Sequence, residues 1–128
     1  MLALDAQILI ADDYNDVYLL VKHTLKNMGY SSVDYAPDGL IALSMLKVKQ
    51  YDFLITDWNM PKKDGLWLLE SIRKDDKLKK LPVLFLTAVA EEDKVMNAIT
   101  KGANNYILKP FRRDALERKI KEIFSKTD

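Results

Sequence analysis

The chain contains no cysteine, which excludes disulfides, thiolate-bound zinc and thiol catalysis. Its formal net charge is only +1, so the strongly basic balance of a dedicated nucleic-acid binder is missing. It opens MLALDAQ, without the basic start and apolar stretch of a secretory signal. No apolar run approaches the roughly 18–20 residues that a membrane span needs. A cytoplasmic protein that engages neither membrane nor nucleic acid is therefore the expectation. Linkers, repeats and low-complexity segments are missing too, and 128 residues suit one domain with one core. What is present is 48% hydrophobic and 30% charged residues, enough for both a core and a solvated surface.

Strand-like and helix-like segments alternate along the chain. QILIA (7–11) is an apolar run suited to a strand buried on both faces. Val17, Leu20, Val21, Thr24, Leu25 and Met28 then recur at helical spacing, and Gly29 supplies a stop. SVDYA (32–36) alternates like a strand nearer the sheet edge, and DGLIALSMLK reads as a helix capped by Asp38. FLIT (53–56) is a third strand, followed by a helix that Asp64 caps and that carries Leu66, Leu69, Ile72 and Arg73. VLFLT (83–87) follows Pro82, and Glu91 to Lys101 form a weaker helix closed by Gly102. NYILK (105–109) is the fifth strand, and Leu116, Ile120, Ile123 and Phe124 mark the last helix. Five such units predict an α/β fold, a parallel sheet with helices on both faces. His23 reads as a surface residue, and Met45, Met60 and Met96 as packing.

In an open parallel sheet, function gathers outside the carboxyl ends of the strands. Those ends carry Asp12 and Asp13, Asp57, Thr87, and Lys109, whereas the second strand ends in unreactive Ala36–Pro37. Each alone has an ordinary explanation as a cap or turn residue. Together they put three carboxylates, a hydroxyl and an ammonium on one rim. Two unit charges about 4 Å apart repel by about 4 kcal/mol at an effective dielectric near 20. A cation is the natural relief, and hard oxygen ligands favour Mg2+, with Mn2+ as an alternative. A phosphoryl group fits as a further ligand, Thr87 and Lys109 being able to donate to it. Asp57 would then be the nucleophile that accepts phosphate as an aspartyl phosphate.

The segments ILIADD, ITDWNMPKKDG, LPVLFLTA and GANNYILKPF, in this order, resemble the receiver domains of response regulators. Within that family the resemblance is to stand-alone chemotaxis regulators of the CheY type, and it covers nearly the whole chain. It implies a single receiver domain over residues 1–128 with the flavodoxin-like (βα)5 doubly wound fold. Asp57 is the implied phosphoacceptor, served by a histidine kinase, a phosphotransfer protein or a small phosphodonor. Asp12, Asp13, Asp57 and the backbone carbonyl of Asn59 are the implied Mg2+ ligands. Thr87 and Tyr106 are the implied switch pair, Lys109 the phosphate-binding lysine, and Pro110 is implied to follow a cis peptide. The implied output is a downstream target on the face of the fourth helix, fifth strand and fifth helix. The protein would be a monomer and not an enzyme, with only self-directed phosphotransfer and autodephosphorylation.

Alternatives stay open at this level. A phosphorelay intermediate or the receiver half of a longer regulator would share these motifs, although KEIFSKTD at the end, without a linker, favours a stand-alone protein. An aspartyl-phosphate phosphatase would normally carry its nucleophile after the first strand, and a flavin or nucleotide binder would want a phosphate loop there. Departures from the chemotaxis pattern touch the output: Tyr18 and Leu19 stand early in the first helix, and Glu91 and Glu92 open the fourth. Val89, two positions after Thr87, offers no polar group to orient water, which predicts a longer-lived phosphoryl group than in Val89→Glu.

Overall fold

The structure, a computed structural model, describes residues 2–88 and 92–125. The strands are β1 (Ile8–Ala11), β2 (Val33–Ala36), β3 (Phe53–Asp57), β4 (Val83–Ala88) and β5 (Asn105–Lys109). Between and after them lie α1 (Asn15–Asn27), α2 (Gly39–Val48), α3 (Gly65–Lys74), α4 (Glu92–Thr100) and α5 (Arg113–Ser125). All neighbouring strands pair in parallel, in the order β2-β1-β3-β4-β5. The order doubles back at β1, so the crossovers carry helices to both faces, and the rim at that reversal is where α/β folds bind ligands.

Side-chain alternation divides the core in two. Ile8, Ile10, Phe53, Ile55, Leu84, Leu86 and Ile107 point to the face covered by α1 and α5. Leu9, Ala11, Leu54, Val83 and Phe85 point to the other, under α2, α3 and α4. The central strands β1 and β3 are buried throughout, as expected where helices cover both faces. Each fully buried aliphatic or aromatic side chain contributes about 1.5–3 kcal/mol. Phe53 meets Phe124 edge-on at 5.0 Å, and Phe85 meets Trp58 at 5.1 Å, which ties both layers to β3 and its exit.

Two helices start as the sequence predicts. Asp38 accepts the Ile41 amide at 2.8 Å and Asp64 accepts the Trp67 amide at 2.9 Å, caps that contribute about 1 kcal/mol each. The glycine after each cap has a second reason to be there. A Cβ on Gly39 would lie 2.4 Å from the Lys63 carbonyl oxygen, and one on Gly65 would lie 2.5 Å from that of Asp57. The β3–α3 connection is thus clamped between the two helix starts. It turns at Lys62, whose φ is 66°, and the Lys63 amide closes back on the Pro61 carbonyl at 2.8 Å.

Some expectations need adjustment. β3 runs through Asp57 and β4 through Ala88, one residue further than the apolar runs suggest, because Leu86 and Lys109 pair with them. Met45 and Met60 pack against the core, but Met96 is 53% exposed. It faces away from the sheet while Val95 and Ala98 of the same helix face inward. His23 is exposed, as read. Val89 and Glu91 lie outside the described residues. No described helix is long and apolar enough to cross a membrane.

Candidate functional site

The site is assembled from the ends of three strands. β1 delivers Asp12 directly after its last paired residue, β3 ends on Asp57, and β5 ends on Lys109. Because β1 and β3 are adjacent and in register, with Ala11 beside Thr56, the next residue of each strand falls on the same rim. Asp12 is fully buried and Asp57 is 5% exposed, while Asp13 is exposed. One carboxylate oxygen from each of the three lies within 4.8 Å of the others.

Lys109 reaches into this cluster from β5. Its ammonium lies 3.0 Å from Asp57 Oδ2 and 3.4 Å from Asp12 Oδ2, and 5.8 Å from the centre of the Tyr14 ring. Burial pushes the Asp57 carboxyl above its ordinary range, and Lys109 pulls it back only in part. Burial likewise raises Asp12, which the Tyr14 amide counters by donating to Oδ1 at 2.8 Å; the Asp57 charge adds to the rise. One ammonium does not compensate three carboxylates, so the cluster is short of positive charge. That electrostatic deficit, with an all-oxygen donor set, is what a divalent hard cation would fill.

Asp12 is not the cap of the following helix. The N-cap position of α1 is Tyr14, which has no side-chain cap bond, so the Asp12–Asp13 pair is kept for the rim rather than for the helix. Thr87 is fully buried beside the site and its hydroxyl donates to the Ala88 carbonyl at a long 3.3 Å. Register places Tyr106 opposite Phe85 and Leu108 opposite Thr87, so Thr87 and Tyr106 share the face that α4 covers. The Tyr106 hydroxyl donates to Glu92 Oε2 at 3.0 Å, and Lys119 lies 5.5 Å from its ring centre. The Glu92 carboxylate pushes the phenol above its usual range. Asn59 follows Trp58 as an exposed residue, and the Lys109–Pro110 peptide is cis.

The structure therefore brings Asp12, Asp13, Asp57 and Lys109 together and leaves Tyr106 bonded to α4. Residues not singled out for the site also shape it. Gly65 permits the close approach of α3 to the Asp57 carbonyl, and Tyr14 covers Lys109. The repeated Asp–Gly pair at 38–39 and 64–65 was the available signal for Gly65; nothing local marks Tyr14.

Comparison with known proteins shows the family. Residues 8–121 match the response regulator receiver domain family. The chain is 44% identical over 120 residues to chemotaxis protein CheY-3 of Vibrio cholerae, covering 94% of this chain and 92% of that one. It is 42% identical over 122 residues to chemotaxis protein CheY of Pseudomonas aeruginosa, covering 95% and 98%. The structure of the chemotaxis response regulator CheY4 of Vibrio cholerae superposes with a TM-score of 0.85 at 30% identity, over 93% of this chain and 98% of that one. The receiver domain of a Pseudomonas aeruginosa sensor histidine kinase, solved with magnesium in its active-site cleft, gives 0.83 at 27% identity, over 94% and 98%. The rim chemistry, the doubly wound sheet and these similarities converge: the chain belongs to the response regulator receiver domain family, as a CheY-like, phosphorylation-dependent signalling switch rather than a metabolic enzyme.

Proposed function

We propose that Asp57 is the phosphoacceptor of this switch and that the surface of α4, β5 and α5 is its output. The observation that carries the reading is the buried Asp57 carboxylate with Lys109 at 3.0 Å and two further carboxylates beside it. In the transfer, an Asp57 oxygen forms the new bond to phosphorus while the bond from phosphorus to the donor breaks. The donor is a phosphohistidine on a kinase or phosphotransfer protein, or a small acyl phosphate. Lys109 then pairs with the phosphoryl oxygens, and the Thr87 hydroxyl exchanges its long bond to Ala88 for one to the phosphoryl group. Mg2+, with Mn2+ as substitute, would be held by Asp12, Asp13, Asp57 and the Asn59 carbonyl. Its chemistry is to neutralise charge on the carboxylates and the phosphoryl group.

Movement of Thr87 opens space on the face it shares with Tyr106, and the ring turns inward, leaving Glu92. The phosphoryl group adds a charge comparable to the −1.5 to −2 of a phosphorylated hydroxyl side chain. Inverting a 1:99 population takes about 5.5 kcal/mol of differential stabilisation, whereas one or two charge-assisted bonds at about 1.5–3 kcal/mol each fall short of that or barely reach it. Phosphorylation therefore shifts the population in part, and the bound target completes it. We place this activity in the cytoplasm, in a monomer that binds no nucleic acid and whose only turnover is its own dephosphorylation.

Trp58 makes the reading testable, since it follows Asp57 and is 5% exposed. Its fluorescence is to be followed while Mg2+ and then beryllofluoride or a small phosphodonor are added. A donor response that requires Mg2+ and disappears in Asp57→Asn is expected. Sustained hydrolysis of a phosphoester, or an unchanged response in Asp57→Asn, would overturn it.

A further inference from the structure

The opposite rim of the sheet carries a second, unassigned surface. A cleft of about 600 Å3 lies at the amino ends of β3 and β4, between the end of α2 and the segment after α3. Asp57 ends β3 at the other rim, about 15–17 Å away along the strand. The floor of the cleft is apolar, where the largely buried Leu46, Tyr51 and Leu81 reach it from the core and Pro82 closes one side, while its walls are polar. Val48 stands at its lip with 85% exposure, an isolated large apolar side chain at the end of a helix.

Charge surrounds this apolar floor unevenly. Lys47, Lys49, Lys77 and Lys80 line the cleft, against Asp52 alone among the described acidic residues. Asp52 is engaged, since Oδ2 accepts the Gln7 amide at 2.8 Å. Lys49 is paired with Asp34 at 2.8 Å. Asp75, in the adjoining hollow, has Oδ1 taken by the Lys77 and Leu78 amides. Asp76, also there, lies 3.8 Å from Lys79. Lys47, Lys77 and Lys80 have no carboxylate within ion-pair distance among the described residues. Three ammonium groups without a carboxylate partner thus stand around a cleft with an apolar floor, in a chain whose net charge is only +1.

We infer that this cleft is a docking site for an acidic segment of a partner protein that carries an apolar side chain between its carboxylates. The charge selects the sign of the partner and speeds its encounter, and the apolar floor with Val48 supplies burial. A nucleic acid would use the lysines but gain nothing from Leu46, Leu81 and Val48. Because the cleft lies on the rim away from Asp57, docking there leaves the carboxylate cluster and the α4–β5–α5 surface free. The partner is held irrespective of phosphorylation, so the inference is independent of the assignment of Asp57.

The test uses the full chain and a short fluorescein-labelled peptide of alternating glutamate and leucine, with a version carrying lysine for glutamate as control. Anisotropy is expected to show saturable binding of the acidic peptide, weakened by salt and unchanged in Asp57→Asn. Lys47→Glu, Lys77→Glu and Lys80→Glu combined should weaken it about tenfold, and Val48→Asp should weaken it as well. Lys47→Gln, Lys77→Gln and Lys80→Gln combined, a milder change at exposed positions, should give an intermediate loss. Amide chemical-shift changes should cluster at residues 46–52 and 77–81. No saturation by about 1 mM peptide, equal affinity in both triple variants, shifts confined to α4, β5 and α5, or tighter binding of a single-stranded oligonucleotide would each overturn the inference.

Discussion

The Lys109 ammonium stands 3.0 Å from Asp57 Oδ2, the shortest link between the fifth strand and the carboxylate cluster. It does not fully offset burial, which leaves the Asp57 carboxyl raised. Metal-free Asp57→Asn should therefore be more stable than wild type at neutral pH. The native state binds the Asp57 proton more tightly than the unfolded chain, so this destabilisation grows as pH rises above the ordinary carboxylate value of about 3.9. It is fully present above the raised folded value and absent below the unfolded one. Urea unfolding of both proteins across pH checks this, and a stability difference independent of pH would contradict it. Added Mg2+ should stabilise wild type more than the variant.

Gly65 and Gly39 separate site geometry from stability. A methyl group at Gly65 would press on the Asp57 carbonyl and on Phe85, and one at Gly39 would press on the Lys63 carbonyl. Gly65→Ala and Gly39→Ala should each cost about 1–3 kcal/mol. Only Gly65→Ala displaces Asp57 directly, so it should weaken Mg2+ binding, read from Trp58 fluorescence, more than Gly39→Ala does. Equal metal affinities would show that the contact does not position the carboxylate.

Arg73 joins two loops and has no carboxylate partner among the described residues. Its Nε and Nη2 donate to the Gly102 carbonyl at 2.9 and 2.6 Å, and Nη1 donates to the carbonyls of Lys79 and Leu81 at 3.1 and 2.7 Å. Arg73→Met leaves those acceptors unpaired, and a loss of about 2–4 kcal/mol is expected. Arg73→Lys should recover less than half, since one ammonium cannot span the fork. Denaturant midpoints decide it; full rescue by lysine would mean that charge, not shape, holds the loops.

Asp34 makes the opposite acid prediction to Asp57. The bonds from Lys49 at 2.8 Å and Tyr51 at 2.6 Å hold its carboxyl below the ordinary range. Its stabilising contribution is present above the unfolded value of about 3.9 and is lost as pH falls through the lowered folded value. Its side chain is 37% exposed, so solvent screening keeps the effect small. The gap between wild type and Asp34→Asn should close on acidification below pH 4, roughly; a gap that widened there would reverse the assignment.

Much of the fold was legible because its signals are local. Apolar runs of strand length, helical spacing and Asp–Gly helix starts depend on near neighbours, and they placed every strand within about a residue of its end. The carboxyl-end rule then marks Asp12, Asp13, Asp57, Thr87 and Lys109 for one rim. Met96 failed because a methionine at helical spacing says nothing about which face the helix presents.

What only the tertiary structure decided are the relations that span the chain. The sequence could nominate Lys109 and Asp12, but the β2-β1-β3-β4-β5 order and its register bring them to 3.4 Å across 97 positions. The bond from Tyr106 to Glu92, the fork of Arg73 and the meeting of residues 46–52 with 77–82 are of the same kind. Local pattern shows which residues share a side of their own element. Which distant side chain it meets depends on how elements cross and pack, and that is settled by burying both faces of one sheet at once.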